Sequence, residues 1–193
     1  RIVYRVAGKG TAEFSSYETG HRVDILGTLG NGFPLEKAEG KRVFLMGGGI
    51  GIPPMLALAK AVEGAASVDV IVGYRDRELF LAEDLARYAP VHIATEDGSV
   101  GTKGNVMNVI EEEKLEVDVI FACGPMPMLR AVKQYAAQKG IEAYISLEER
   151  MACGVGACLG CVVRTRETDH HSHVNNARIC TDGPVYAAED VEI

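Results

Sequence analysis

Between residues 38 and 147, short apolar-rich runs alternate with longer stretches of mixed polarity. Val43-Phe44-Leu45-Met46 is the clearest run, and runs at 68–72, 91–94, 117–122 and 143–147 repeat the theme. A run with no polar alternation is expected of a strand buried on both faces of a parallel sheet. The intervening stretches predict helices near 53–62, 79–88, 105–113 and 127–138. Strand and helix in turn predict an α/β fold with a doubly wound parallel sheet. Residues 1–37 read differently. Ile2-Val3-Tyr4-Arg5-Val6 and Val23-Asp24-Ile25-Leu26-Gly27 predict strands, followed by a turn at Gly8-Lys9-Gly10-Thr11 and a loop at Leu29-Gly30-Asn31-Gly32-Phe33-Pro34. Residues 148–193 show neither period. The expected division is therefore 1–37, 38–147 and 148–193.

Composition narrows the function. The 193-residue chain is 47% apolar, enough for a sizeable core, and carries 22 glycines. Its net charge is −7, with no Lys/Arg-rich run, which argues against a nucleic-acid partner. No apolar run approaches the roughly 18 residues of a membrane-crossing helix, so no membrane association is expected. Five cysteines with no export signal at the start of the sequence predict a reducing, cytoplasmic setting. There, spaced cysteines hold metal more often than they form disulfides.

Four of those cysteines have a telling pattern. Cys153, Cys158 and Cys161 are spaced C-x₄-C-x₂-C, and 18 residues separate Cys161 from Cys180. This is the plant-type [2Fe–2S] spacing, with a distant fourth ligand. Gly154, Gly156 and Gly160 let the loop curl around an inorganic core and bring amide N–H groups to the sulfurs. Structural zinc prefers C-x₂-C pairs, and Cys153 has no such mate. His170, His171 and His173 have no adjacent cysteine, so a Rieske-type centre is disfavoured and a solvated hairpin tip is expected.

A second candidate site is Gly47-Gly48-Gly49-Ile50-Gly51, between a predicted strand and helix. Helix N-termini offer free N–H groups to a phosphate, and glycines allow close approach. The strand–loop–helix context predicts a dinucleotide, although the spacing is not G-x-G-x-x-G. Cys123-Gly124-Pro125 ends another predicted strand, where ligands of open α/β sheets bind. Its thiol is either beside a nicotinamide ring or simply a buried strand-end cysteine. Arg75 and Asp76 are either adenosine contacts or an exposed charged turn, and Glu111-Glu112-Glu113 reads as a solvated helix face.

A nicotinamide moves two electrons as hydride, whereas a [2Fe–2S] cluster moves one. A carrier able to do both must stand between them, which predicts a flavin.

The segments 146–161, 4–11, 29–33, 47–54 and Thr181-Asp182-Gly183-Pro184-Val185 together closely resemble the electron-transfer subunits of class 1B dihydroorotate dehydrogenases. The resemblance implies a ferredoxin reductase-like chain: a β-barrel FAD domain, an NAD domain and a C-terminal cluster domain. It implies FAD contacts from Val3, Tyr4 and Arg5, with Gly10 and Thr11 at the phosphates. It places Gly47, Gly48, Gly49, Gly51, Cys123, Gly124 and Pro125 on the NAD side, and the cluster on the four cysteines. The family's Arg-Pro-x-Ser type flavin segment would precede Arg1, so an N-terminally shortened barrel is expected. The resemblance also implies an FMN-containing catalytic subunit as partner, two of each in a heterotetramer, feeding electrons through the cluster and FAD to NAD⁺ in pyrimidine biosynthesis. Two rivals remain: a ferredoxin–NAD(P) reductase-like subunit of another redox complex, and a zinc-stabilised binding module without redox chemistry.

Overall fold

The computed structural model describes residues 2–168 and 173–193, so His170 and His171 lie outside the described residues. The alternation of runs becomes a seven-stranded sheet. Its strands are β1 (Arg42–Gly48), β2 (Ser67–Tyr74), β3 (Val91–Thr95), β4 (Thr102–Lys103), β5 (Val119–Cys123), β6 (Glu142–Ser146) and β9 (Val185–Ala187). The order is β4-β3-β2-β1-β5-β6-β9, and only β9 runs antiparallel to its neighbour. β1 lies between β2 and β5, both parallel to it. The chain therefore departs to one side of β1 and later returns on the other, which makes the carboxyl ends of β1 and β5 the topological switch point.

Helices cover both faces. α2 (Ile52–Ala61) and the short α3 (Ala82–Leu85) pack one face with Val43, Leu45, Val70, Val72 and Phe121. α4 (Val106–Glu113) and α5 (Met126–Lys139) pack the other with Phe44, Met46, Ile71 and Ile120. Successive residues of β1 thus enter opposite cores, which is why the run is apolar without interruption. Local chemistry sets the helix ends. Prolines occupy the first turns of α2 and α5, where a missing N–H costs nothing. Asn105 caps α4, accepting from the Met107 N–H at 2.9 Å, and Gly140 ends α5 at φ +66°. The helix expected at 79–88 is only four residues long, and it starts no earlier than Ala82 because Leu81 takes a left-handed conformation, φ 64°.

The C-terminal region builds a small antiparallel sheet, β10-β7-β8, from β7 (Val162–Thr165), β8 (Asn176–Arg178) and β10 (Val191–Glu192). It does not stand apart. Its strand β9 extends the main sheet, and Cys161, Ile179, Cys180, Ala188 and Val191 share a core with α4 and α5.

The N-terminal expectation is corrected. Neither strand forms at 2–6 or 23–27, and the presumed turn is the start of a six-residue helix, α1 (Lys9–Phe14), which buries nothing. Ile2, Val23, Ile25 and Leu26 are all more than half exposed. A strand is held by a neighbouring edge and a face to pack on. Neither reaches these residues, so their apolar side chains have nothing to pack on. Among the described residues, no helix is long and apolar enough to cross a membrane.

Candidate functional site

The residues around Cys153 form a loop whose backbone serves the sulfurs. Gly154 and Gly156 adopt φ +70° and +78°, conformations that L side chains resist. The resulting curl turns amide groups inward. The Cys158 N–H donates to Cys153 Sγ at 3.4 Å and the Gly160 N–H to Cys158 Sγ at 3.4 Å. Hydrogen bonds from Val155, Cys158 and Ala157 pull the Cys153 thiol down to about 6. Amide donors aimed at sulfur favour thiolate over thiol, which is the ligating form.

Cys180 arrives from the turn after β8 and is buried with Cys161. Burial pushes its thiol up, and a hydrogen bond with Cys161 adds to the effect. The structure thus gathers the four predicted cysteines in two pairs, Cys153 with Cys158 and Cys161 with Cys180. Among the described residues, no three candidate ligands lie close enough to share one metal ion. Two pairs suit a two-iron core, in which each iron takes two thiolates. One further atom fits such a core. The Tyr186 hydroxyl is buried without a hydrogen-bond partner among the described residues, and its ring packs on the core that holds Cys161 and Cys180. A cluster sulfur would give it an acceptor.

The glycine loop leaves β1 at the switch point. Its glycines are demanded first by the chain itself. A Cβ on Gly51 would sit 2.1 Å from the Cys123 carbonyl oxygen, and one on Gly48 2.9 Å from Pro125 Cδ. A Cβ on Gly47 would meet the Ile52 Cα at 3.0 Å, and one on Gly124 the Met128 sulfur at 2.8 Å. The β1–α2 and β5–α5 turns are therefore pressed together, and the residues expected on the NAD side do converge. Gly49 alone of the four loop glycines faces open space, at φ +53°. The Cys123 thiol is half-buried beside Gly47 in register, and burial raises its pKa, with Ser146 as a hydrogen-bond partner. It is therefore a neutral thiol rather than a nucleophile at neutral pH.

The residues expected to meet FAD are brought together less closely. Tyr4 packs edge-on to Phe14 with ring centroids 5.9 Å apart. Thr11 Oγ1 accepts from the Ala7 and Gly8 N–H groups at 2.9 and 3.0 Å, closing the first turn of α1. Val3, Tyr4, Arg5 and Gly10 are exposed.

One participant escaped the sequence reading. Asn31, in the 29–33 loop, reaches across to the turn that follows Cys180. Its backbone N–H donates to the Gly183 oxygen at 2.7 Å, and its side-chain amide donates to the oxygens of Asp182 and Val185 at 3.2 and 3.1 Å. The Val185 N–H returns a bond to Asn31 Oδ1 at 3.0 Å. An asparagine after a glycine reads as an ordinary turn; no local signal marks its distant partners.

Comparison with known proteins bears on these sites. Residues 148–192 match the model of the iron–sulfur cluster binding domain of dihydroorotate dehydrogenase B. The whole chain is 43% identical to the electron transfer subunit of the NAD⁺-type dihydroorotate dehydrogenase B of Bacillus velezensis, covering 74% of that protein. The corresponding subunit of Bacillus caldolyticus is 47% identical, over 98% of this chain and 73% of its own length. Among solved structures, an NADH-dependent reduced ferredoxin–NADP oxidoreductase, described in connection with flavin-based electron bifurcation, superposes with a TM-score of 0.83 at 28% identity. That match covers 98% of this chain and 67% of the other.

Proposed function

The chain belongs to the family of electron-transfer subunits of dihydroorotate dehydrogenase B, and from that premise we propose which residues carry its chemistry. It is an oxidoreductase subunit of ferredoxin reductase-like fold that works with a [2Fe–2S] cluster, FAD and NAD; the oxidation of dihydroorotate belongs to a catalytic partner. The cluster supplies one-electron steps, the nicotinamide takes hydride, and the flavin connects the two regimes.

In our reading the chain has three parts, 1–37, 38–147 and 148–193. Cys153 and Cys158 hold one iron, Cys161 and Cys180 the other. The observation that carries this is the pairing of the four thiols, with backbone N–H groups directed at Cys153 and Cys158. NAD is placed at the switch point, with its pyrophosphate toward Gly49 and α2 and its nicotinamide toward Cys123, Gly124 and Pro125. Gly47, Gly48 and Gly51 keep the two turns close enough to form that crevice. Val3, Tyr4, Arg5, Gly10 and Thr11 remain the FAD contacts, on a segment whose exposed apolar side chains are suited to a covering neighbour. The partner is an FMN-containing catalytic subunit, two of each forming a heterotetramer in the cytoplasm.

Anaerobically purified protein should contain two irons and two sulfides per chain, with a visible spectrum that dithionite bleaches. Cys158→Ser, at an exposed position, should remove that spectrum and stop electron delivery to NAD⁺ while leaving the fold intact by circular dichroism. Stoichiometric zinc, or normal electron delivery by the variant, would overturn the assignment.

A further inference from the structure

The bonds made by Asn31 raise a question that the cysteine spacing does not answer. Three of the proposed ligands share a loop, but Cys180 comes from a separate turn. Something must hold that turn in place against the loop.

Two devices do so. Within the C-terminal region, the Asp182 carboxylate accepts from the Arg178 N–H at 2.9 Å and from its guanidinium at 3.1 and 3.2 Å. The same guanidinium donates to the Gly156 oxygen at 3.4 Å, in the middle of the three-cysteine loop. From outside, Asn31 grips the turn on its other side. Its side-chain amide both donates to the Val185 oxygen and accepts from the Val185 N–H. This two-point pairing imitates a neighbouring strand at the point where β9 begins. The partners Asn31 and Asp182 are 151 positions apart in sequence. Gly30 allows the approach. At φ +71° a Cβ on it would sit 2.0 Å from the Gly183 oxygen. No other residue fits there without lifting the loop away.

We propose that Asn31 is a positioning residue for the iron–sulfur centre: it fixes the turn bearing Cys180 from the N-terminal segment, so that the fourth sulfur is placed by the part of the chain assigned to the flavin side. The proposal rests on the cluster reading above. Outer residues that orient ligands matter on the order of 10- to 100-fold in metal affinity or activity.

The test uses the full-length, cofactor-loaded protein and three variants: Asn31→Ala, Gly30→Ala and Gly32→Ala. Gly32 lies in the same loop, but a Cβ there meets nothing within 4 Å, so it serves as the control. Iron release to a ferrous chelator, visible-region circular dichroism of the cluster and the melting temperature are measured. Release should accelerate on the order of tenfold in Asn31→Ala and Gly30→Ala, near the lower end of that range. The cluster's dichroism should change in both, and Gly32→Ala should match wild type. If Asn31→Ala releases iron at the wild-type rate with unaltered dichroism, the positioning role is wrong. If faster release merely follows a fall in melting temperature, with the dichroism unaltered, the role is structural only and the proposal fails. A wild-type protein without iron and sulfide would instead sink the cluster reading, and this role with it.

Discussion

At Gly47, Gly48 and Gly51 the loop after β1 is walled in by its own chain, whereas the loop at 153–161 is mostly open to solvent. Both are rich in glycine. In the first, Cβ atoms at 47, 48 and 51 would strike backbone or proline atoms, so the glycines are required before any ligand arrives. In the second, Gly154 has nothing within 4 Å and is needed for its left-handed φ alone. Gly156 combines such a φ with a Thr181 neighbour at 3.0 Å. The difference teaches that glycine content does not by itself reveal a binding loop. One loop is packed against the β5–α5 turn at the sheet's switch point. The other owes its curl to left-handed glycines, and that curl turns backbone N–H groups toward Cys153 and Cys158.

The hardest blow to this contrast would come from the packed loop. Gly51→Ala drives a methyl against the Cys123 carbonyl, where only backbone movement relieves the clash. It should cost about 3 kcal/mol, the upper end for overpacking, seen as a lower urea midpoint for the whole domain. A wild-type midpoint would show that the turns are not pressed together. Gly154→Ala should cost roughly 1–2 kcal/mol of backbone strain, confined to the open loop. The urea midpoint should fall less than in Gly51→Ala, while iron release from the loaded protein quickens. Gly49→Ala sharpens the comparison from the other side, with a strain of about 1 kcal/mol at its left-handed φ. Its methyl would enter the space assigned to the pyrophosphate, so NAD(H) affinity measured by calorimetry should fall more than stability does.

The smallest effect lies far from both loops. Arg42, with hydrogen bonds to both Asp118 oxygens at 2.7–3.0 Å, holds that carboxyl down to about 2 against an ordinary value of 3.8. A depressed carboxylate stabilises the fold above its unfolded pKa and loses that contribution as pH falls through the folded one. Wild type should therefore be more stable than Asp118→Asn at neutral pH, with the gap closing between about pH 3.8 and 2. Because Asp118 is substantially exposed, salt should narrow the gap. Neither NAD affinity nor iron retention should change, and a change in either would mean that the two loops are coupled to this end of the sheet.

The nucleotide-side architecture was largely legible in the sequence. The runs near 43, 68, 91, 117 and 143 are all strands, and the helices near 53, 105 and 127 lie within a residue or two of expectation. The misses have two causes. The short strands β7, β8 and β10 are each two to four residues long and carry no readable period. The strands expected at 2–6 and 23–27 are rich in apolar residues but have no partner edge to pair with.

Some properties of this chain follow from local order alone. The apolar run at 43–46 marks a strand buried on both faces, and the C-x₄-C-x₂-C spacing marks three candidate ligands on one loop; both are written in residues close along the chain. Other properties exist only once the chain has closed on itself. The crowding that makes Gly51 indispensable, the entry of β9 into the main sheet and the grip of Asn31 on the turn after Cys180 all join residues remote in sequence. Spacing along a chain encodes contacts within one element. Contacts between elements are set by how the layers stack, and only the folded molecule reveals them.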